Sequence, residues 1–162
     1  MTKIPNYDSS CSFDSAIGPI SLYAKDDAVV FLTMGNPAAA NSGKSKVLAE
    51  ASKQLKAYFA GKSNVLNFKV SANGTAFQEA VWAQIEKLGF GETASYAEIA
   101  TAIGNPKAVR AVGGAVGANP VPLVIGCHRV LGANGRITGY SGGDGIPTKT
   151  WLLEHEGIPV KP

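Results

Sequence analysis

The sequence is short of the residues that build metal centres and disulfide-linked folds. Its 162 residues include two cysteines, Cys11 and Cys127, and two histidines, His128 and His155. Two cysteines do not form the disulfide framework of a secreted domain, so we expect both thiols to be free. Zinc sites often begin with a Cys-x-x-Cys or His-x-x-x-His pair, and the chain has neither. We therefore expect no metal site.

Charged residues and long apolar runs are also scarce. Charged residues make up 17% of the chain and hydrophobic residues 45%, a balance typical of a globular protein rather than a disordered one. No run of about 18 apolar residues occurs, and the first residues lack the apolar core of a signal peptide. We expect a soluble, intracellular protein with no membrane partner. The formal net charge of +3 is compatible with nucleic-acid binding but does not establish it.

The N-terminal half predicts strands followed by a covering helix. The expected elements are a short strand interrupted at Gly18-Pro19, a hairpin whose strands at 20–24 and 28–32 are joined by a Lys-Asp-Asp turn, a helix over about 44–60 and a last strand at 68–70. The segment 71–74, Ser-Ala-Asn-Gly, gathers small and turn-forming residues and predicts a domain boundary. We expect a structural α/β domain at 1–73 and a second domain at 74–162.

Two capping boxes predict where helices begin in the second half. Thr75 with Gln78 precedes one stretch of helical periodicity. Ser95 with Glu98 precedes another, which Gly104 can end. This half is therefore expected to be mostly helical.

A further helix is predicted over residues 106–119, with Asn105 as N-cap and Pro106 at its first position. Together with the preceding helix it resembles a helix-turn-helix, although such pairs are often simple packing units. Gly113 and Gly114 lie inside it, and each costs about 0.8–1 kcal/mol relative to alanine. Bare backbone there suits the close approach either of another helix or of a DNA backbone, and spacing alone does not decide between them.

The two sides of this helix differ in character. Val109, Val112 and Val116 define the expected buried side. Lys107 and Arg110 project elsewhere, and two cations beside a small-residue surface are suited to contact with DNA phosphates.

Cys127, His128 and Arg129 follow one another where the apolar run 119–126 is expected to end as a buried strand. A base or cation near a cysteine raises its thiolate fraction at neutral pH. Neighbours in an extended chain point to opposite sides, so Cys127 reaches His128 either through a bend at Gly126 or through a water. In the structural alternative, Cys127 is a small buried hydrophobic residue, His128 is a polar residue whose hydrogen bonds are satisfied, and Arg129 is a structural cation.

A histidine base needs a partner that orients its other nitrogen, and the last helix offers Glu154 and Glu156. Glu156 lies four residues after Leu152 and three after Leu153, on the apolar face. Glu154 falls toward solvent. Because a carboxylate on a core-facing stripe needs a partner, the spacing favours Glu156.

These residues resemble the O6-alkylguanine-DNA alkyltransferases, also called methylated-DNA–protein-cysteine methyltransferases. The resemblance is carried by SYAEIATAIGNPKAVRAVGGAVGANPVPLVIGCHRVLGANGRITGYSGG and KTWLLEHEG, and it runs almost continuously from residue 74 to 157. The first 70 residues fit only loosely. The family implies an α+β fold: a small N-terminal sheet with a covering helix, ribonuclease H-like, and a mostly helical C-terminal domain with the helix-turn-helix and the active cysteine.

The resemblance also implies a role for each residue of the motif. At the reacting centre, Cys127 is the alkyl acceptor, His128 is its water-linked base, and Glu156 is the partner that orients His128. Asn119 links the recognition helix to the active-site strand. Tyr96 crowds the flipped nucleotide and hydrogen-bonds its base. The implied substrate-pocket residues are Tyr140, Ser141, Gly142, Val116, Pro122 and the carbonyl of Val130. The implied DNA contacts are Arg110, which fills the stack, with Lys107, Gly113, Gly114 and Tyr96.

The implied partner is double-stranded DNA carrying O6-alkylguanine, with O4-alkylthymine as a further candidate substrate. The helix-turn-helix would enter the minor groove, whose narrowness explains the two glycines. A single displacement at sulfur would leave the protein alkylated and spent, without a cofactor or a metal. We expect a monomer that acts in the cytoplasm of a bacterial or archaeal cell, or in the nucleus of a eukaryotic one.

The chain departs from the family pattern at Gly126, where proline usually precedes the cysteine. The zinc ligands found near the N-terminus of some members are not assembled either, because Cys11 is the only cysteine in that half. Two rival functions use the same residues. A cysteine hydrolase would turn over repeatedly on Cys127, His128 and Glu156, and a non-catalytic sensor of alkylated DNA would bind without accepting the alkyl group.

Overall fold

The computed structural model describes residues 3–161, which belong to two compact units, one up to residue 73 and the other from residue 74. The first unit contains an antiparallel sheet in the order β1 (Ser9–Ser15), β2 (Gly18–Lys25), β3 (Ala28–Met34). Asp26 and Asp27 both have positive φ, 50° and 60°, and form the tight turn between β2 and β3. The predicted Lys-Asp-Asp turn is therefore confirmed.

The helix α1 (Lys46–Phe59) covers this sheet, as predicted. Ser45 caps it by accepting a hydrogen bond from the Leu48 amide. Its buried residues recur at helical spacing and are Val47, Leu48, Ala51, Leu55 and Tyr58. The sheet and the buried face of α1 supply the apolar core of this unit.

Two strand predictions in this unit are wrong. The first strand lies upstream of the predicted position, at Ser9–Ser15, and Gly18 begins β2 instead of interrupting a strand. The segment 68–70 pairs with the sheet only through one parallel bridge between Val70 and Val29. Asn67 and the small residues 71–74 on either side have low strand propensity, which limits the pairing to this bridge.

The regular elements of the second unit are mostly helices, and the fold class of the chain is α+β, as predicted. Its helices are α2 (Ala76–Glu86), α3 (Tyr96–Ala102), α4 (Val109–Gly117) and α5 (Ile146–His155). A short parallel pair joins β4 (Ala94–Ser95) to β5 (Val130–Leu131). Both capping boxes are confirmed, at Thr75 with Gln78 and at Ser95 with Glu98. None of the helices within residues 3–161 combines the length and the hydropathy of a membrane-crossing segment.

The predicted start of α4 is wrong. Residues 105–108 form a turn, in which the Ala108 amide donates to the Asn105 carbonyl at 3.0 Å, and the helix begins at Val109 with Ala108 as an N-cap that has no side-chain hydrogen bond. Lys107 therefore lies before the helix. Gly104, with a φ of +81°, ends α3. The turn that follows it sets the direction of α4, and Asn105 lies in this turn instead of capping the helix.

The core of this unit fixes α4 against α2. Val81 and Ile85 of α2 and Val112 of α4 are fully buried, and the Trp82 indole donates to the Ala115 carbonyl at 2.9 Å. Val109 was predicted to be buried with Val112 and Val116 but is 38% exposed. The later start of the helix makes Val109 its first residue.

Candidate active site

The segment before Cys127 is a buried, irregular loop and not the predicted strand. It makes a single bridge between Pro122 and Ile125. Proline has no amide hydrogen to give to a sheet, so Pro120 and Pro122 prevent a continuous ladder. Hydrogen bonds of the Asn119 side chain hold this loop in place of a strand ladder. The side chain donates to the Ile125 carbonyl at 2.7 Å and accepts from the Val121 amide at 3.0 Å. It thereby ties the end of α4 to the residues that lead into Cys127.

Cys127 begins a single 3₁₀ turn, Cys127–Arg129. The Arg129 amide donates to the Gly126 carbonyl at 2.9 Å and closes the turn. The chain therefore bends at the cysteine itself, but no hydrogen bond among the described residues joins the Cys127 sulfur to the His128 ring. All three side chains of the turn are buried.

A buried carboxylate at the end of α5 organises the other two residues of the turn. Oε2 of Glu156 lies 2.6 Å from Nε2 of His128, and its two oxygens accept from Nε and Nη2 of Arg129 at 2.8 and 3.0 Å. Oε1 also accepts from the Gly91 amide at 3.0 Å. The expectation from the sequence favoured Glu156 over Glu154, and Glu154 is exposed. Arg129 thus ties the turn to the end of α5.

These contacts set the charge of the pair. Burial alone would raise the pKa of Glu156, but hydrogen bonds from His128 and Arg129 outweigh burial and hold that pKa well below its usual range. Burial lowers the pKa of His128, and the neighbouring Glu156 offsets this effect only in part. His128 is therefore a neutral imidazole that donates from Nε2. Its Nδ1 is buried and has no hydrogen-bond partner among the described residues, so it is the basic nitrogen of the ring.

A cavity of about 380 Å³ opens onto the Cys127 thiol. Several residues that the sequence assigned to the site share its lining, namely Tyr96, Gly113, Val116, Cys127, Tyr140 and Ser141. Gly142 and Pro122 were assigned to the substrate pocket but are not among the residues of this lining. Val130 is fully buried and is not part of the lining either.

Sequence reasoning missed other lining residues, which are Val109, Gly117, Thr138, Gly139 and Lys149. Lys149 is the most unusual of them because its side chain is almost fully buried, at 1% exposure. Its ammonium donates to the Val130 carbonyl at 2.7 Å and to the Gly139 carbonyl at 3.2 Å. The helical period of the sequence places Lys149 on the apolar face of α5, three residues before Leu152 and four before Leu153, but it does not show that the ammonium is buried.

Opposing effects act on the pKa of the Cys127 thiol. Burial raises the pKa of Cys127 above its ordinary value, and hydrogen bonds with Asn119 and Tyr140 and the charge of Lys149 offset this rise only in part. The sulfur lies 4.0 Å from the Tyr140 hydroxyl. Burial also raises the pKa of Tyr96, against a hydrogen bond with Thr138. The sulfur is therefore enclosed and depends on its neighbours for ionisation.

The outward side of α4 is bare. A Cβ placed on Gly113 or Gly114 would meet no heavy atom within 4 Å, so the described part of the chain does not require glycine at either position. Of the two explanations that the sequence left open, packing against another helix has no support here. Arg110 and Lys107 are both exposed beside this surface.

Comparison with known proteins gives the same family for both units. Residues 76–158 match the family described as 6-O-methylguanine DNA methyltransferase, DNA binding domain, and residues 11–72 match 6-O-methylguanine DNA methyltransferase, ribonuclease-like domain. A methylated-DNA–protein-cysteine methyltransferase of Methanosarcina acetivorans is 41% identical over 157 residues, which cover 90% of this chain and 96% of that protein. A constitutive one of Bacillus subtilis is 47% identical over 114 residues, covering 70% and 68%.

A solved structure agrees with these relatives. The crystal structure of Mycobacterium tuberculosis OGT in complex with DNA is 41% identical and covers 91% of each chain, with a TM-score of 0.82. The resemblance seen in the sequence is therefore confirmed. The chain belongs to the 6-O-methylguanine DNA methyltransferase family.

Proposed function

We propose that this chain repairs O6-alkylguanine in double-stranded DNA by moving the alkyl group irreversibly to Cys127. One observation carries the proposal: the cavity that contains the Cys127 thiol is also lined by α4, through Val109, Gly113 and Val116. The nucleophile and a helix with a bare outer side thus share one cavity. A cavity of about 380 Å³ also lies in the usual range for small-molecule sites.

The reaction requires the damaged nucleotide to leave the duplex, at a cost of a few kcal/mol. The outer side of α4 suits this step because the minor groove is only about 6 Å wide and excludes bulky side chains. Gly113 and Gly114 let the helix enter the groove, Arg110 fills the gap left in the stack, and Lys107 contacts a phosphate. Tyr96, at the start of α3, crowds the flipped nucleotide and hydrogen-bonds its base.

The chemistry is a single displacement at sulfur. Glu156 keeps the proton of His128 on Nε2, so Nδ1 accepts the Cys127 proton through a water. The thiolate attacks the alkyl carbon, and the C–S bond forms as the bond from that carbon to O6 breaks. The electron pair of the broken bond passes to the guanine, which takes a proton from Tyr96. A thioether is a poor leaving group, so each protein reacts once and needs no cofactor.

The remaining residues hold the base in place. Tyr140 and Ser141 hydrogen-bond the guanine, while Val116, Pro122 and Gly142 shape the pocket. The Val130 carbonyl faces the exocyclic amine of the base. It already accepts from Lys149, and a carbonyl oxygen has a second lone pair to offer. Asn119 holds the loop that carries the cysteine.

The two units divide the work. The unit from residue 74 binds DNA and accepts the alkyl group, and the unit up to residue 73 has a structural role. The protein acts as a monomer in the compartment that holds DNA, which is the cytoplasm of a bacterial or archaeal cell or the nucleus of a eukaryotic one.

The test is the stoichiometry of alkylation. Incubation with a duplex containing O6-methylguanine should add one methyl mass to the peptide that contains Cys127, up to one equivalent per protein. Cys127→Ser should abolish transfer and keep DNA binding. Continued turnover beyond one equivalent would indicate a hydrolase, and binding without any mass change would indicate a sensor.

A second variant separates the DNA step from the chemical step. Arg110→Ala should slow transfer from the duplex by about tenfold or more, because losing about 1.4 kcal/mol of support for the flipped state is a factor of ten. Transfer from the free base O6-methylguanine should be unchanged, since no nucleotide has to be flipped. Equal slowing on both substrates would contradict the role given to Arg110.

A further inference from the structure

Lys149 is a buried cation without a carboxylate partner among the described residues. Its exposed fraction is 1%, and its ammonium is held by two backbone carbonyls, those of Val130 and Gly139. The rings of Tyr96 and Tyr140 lie 6.0 and 5.9 Å from the nitrogen, at the outer limit of a cation–π contact. Neutral carbonyls and ring faces offset only part of the cost of taking an ammonium out of water.

The described part of the chain also contains a matched buried cation. Arg129 donates to both oxygens of Glu156 and to the Leu88 carbonyl at 2.8 Å. Within the described residues, one buried cation therefore has a carboxylate partner and the other has none. Because an unmatched buried charge is costly, we expect an anion to form or bind close to the Lys149 ammonium.

The groups around Lys149 leave one good candidate for that anion. Tyr96 of α3, Tyr140 of the segment before α5, and Cys127 of the 3₁₀ turn line the same cavity. The residues of α4 in the lining carry no titratable side chain. Burial raises the pKa of both Cys127 and Tyr96, but an ordinary thiol is more acidic than an ordinary phenol, with a pKa of about 8.5 against about 10, so the Cys127 sulfur is the best candidate for the anion.

His128 is not placed to provide the positive charge instead. Its ring is bound to Glu156 at 2.6 Å, so a proton gained there would serve mainly to neutralise that carboxylate. Burial lowers the pKa of His128, and the charges of Arg129 and Lys149 lower it further. The imidazole can therefore take the proton away from sulfur but does not supply a lasting charge beside it.

We propose that the Lys149 ammonium is the counterion of the Cys127 thiolate, the charge that allows the sulfur to ionise inside an enclosed pocket. Lys149 acts through Cys127 and forms or breaks no bond itself. The pKa of Lys149 is lowered to about 8, chiefly by burial, while the charge of Cys127 opposes this shift, and the charge of Lys149 in turn lowers the pKa of Cys127. Its benefit to alkyl transfer depends on the function proposed above, whereas the coupling between the two groups does not.

The first test measures thiol ionisation without DNA. Cys11→Ser serves as the parent, so that iodoacetamide reports on Cys127 alone, and the rate is followed by peptide mass from pH 5 to 10. In Lys149→Gln, which keeps hydrogen-bond donors but not the charge, the midpoint should rise, and the rate below it should fall about tenfold for each unit of rise. Lys149→Arg should stay closer to the parent. An unchanged profile in Lys149→Gln would overturn the proposal.

The second test leaves Lys149 intact, so it stands even if the Lys149 variants fold poorly. Coupling between two titrating groups is reciprocal. In protein with ¹³C-labelled lysine, the signal of Lys149 should therefore titrate at lower pH in Cys127→Ser than in the wild type, because the serine cannot become an anion. Equal titration in the two proteins would contradict a thiolate–ammonium pair.

The outcomes separate this inference from the proposed function. If both titration tests succeed and no alkyl group is transferred from DNA, the counterion stands and the repair function fails. If transfer is observed while both titrations are unaffected, the repair function stands and Lys149 is only a structural cation.

Discussion

Arg129 and Lys149 are both buried cations beside Cys127, and their surroundings differ. Arg129 meets a carboxylate with good geometry, and each oxygen of Glu156 accepts at least two hydrogen bonds. Lys149 meets two carbonyls and the rings of Tyr96 and Tyr140, which line the cavity. The comparison separates two sides of the cysteine. The side of Arg129 and Glu156, the fixed side, holds its geometry because its hydrogen bonds are satisfied. The side of Lys149, the reactive side, carries an unmatched charge that responds to a new anion.

Removing the carboxylate should break the fixed side and give the largest effect on stability. Glu156→Ala leaves the Arg129 guanidinium buried without its anion, and breaking one partner of a buried pair costs about 3–5 kcal/mol. We expect the free energy of unfolding, measured in urea, to fall by that amount.

The matched control is Glu154→Ala, two residues earlier on the same helix and exposed. It should change the free energy of unfolding by no more than about 0.5 kcal/mol. Similar losses in the two variants would mean that Glu156 contributes to helix formation and not to the cluster.

Acid should weaken the same side more gradually. The pKa of Glu156 is held below its usual value, so between the two values the unfolded chain binds a proton that the native protein does not, and stability falls as pH drops below about 4.3. The pKa of His128 is also lowered, so its contribution has the same sign and begins to be lost below about pH 6.5.

Urea unfolding between pH 7 and 3 measures this loss. Glu156→Gln should have lower stability at pH 7 and a shallower decline toward acid, while Glu154→Gln should follow the wild type. A decline in Glu156→Gln as steep as that of the wild type would assign the acid sensitivity to other carboxylates.

The helix starts of the second unit and the choice of Glu156 on the fixed side could be predicted from the sequence because both follow local rules. The capping boxes at Thr75 and Ser95 depend on residues three positions apart, and the choice of Glu156 over Glu154 depends only on helical period. Where two local signals competed, the sequence misled. Asn105 has the right chemistry for an N-cap, but the turn that follows Gly104 postpones α4 by three residues.

The reactive side was harder to predict for a different physical reason. Lys149 shares a helix face with Leu152 and Leu153, yet a lysine on such a face usually reaches its ammonium out to water, so its burial is not expected. The two carbonyls that bind it, at Val130 and Gly139, lie 19 and 10 residues earlier. No sequence period links these positions.

Gly126 offers the smallest and sharpest test of the fixed side. A Cβ there would lie 2.9 Å from Nη1 and 3.1 Å from Cδ of Arg129, so the glycine provides the space in which the guanidinium packs against the backbone. A guanidinium bound to Glu156 and to the Leu88 carbonyl cannot simply swing away. We expect Gly126→Ala to lower the free energy of unfolding by about 1 kcal/mol, because crowding of about 1–3 kcal/mol outweighs the 0.4–1 kcal/mol gained from a stiffer unfolded chain.

The control for Gly126→Ala is Gly139→Ala, where an added Cβ would meet nothing within 4 Å. That variant should show only the gain of about 0.4–1 kcal/mol from the unfolded chain. Gly126→Pro sharpens the comparison further, since the φ of −70° at this position already suits proline while the Cβ contact remains. If alanine and proline at 126 were both as stabilising as alanine at 139, the Arg129 side chain would have to yield at little cost. The cluster around Glu156 would then be less rigid than its hydrogen bonds indicate, and the contrast with Lys149 would rest on charge alone.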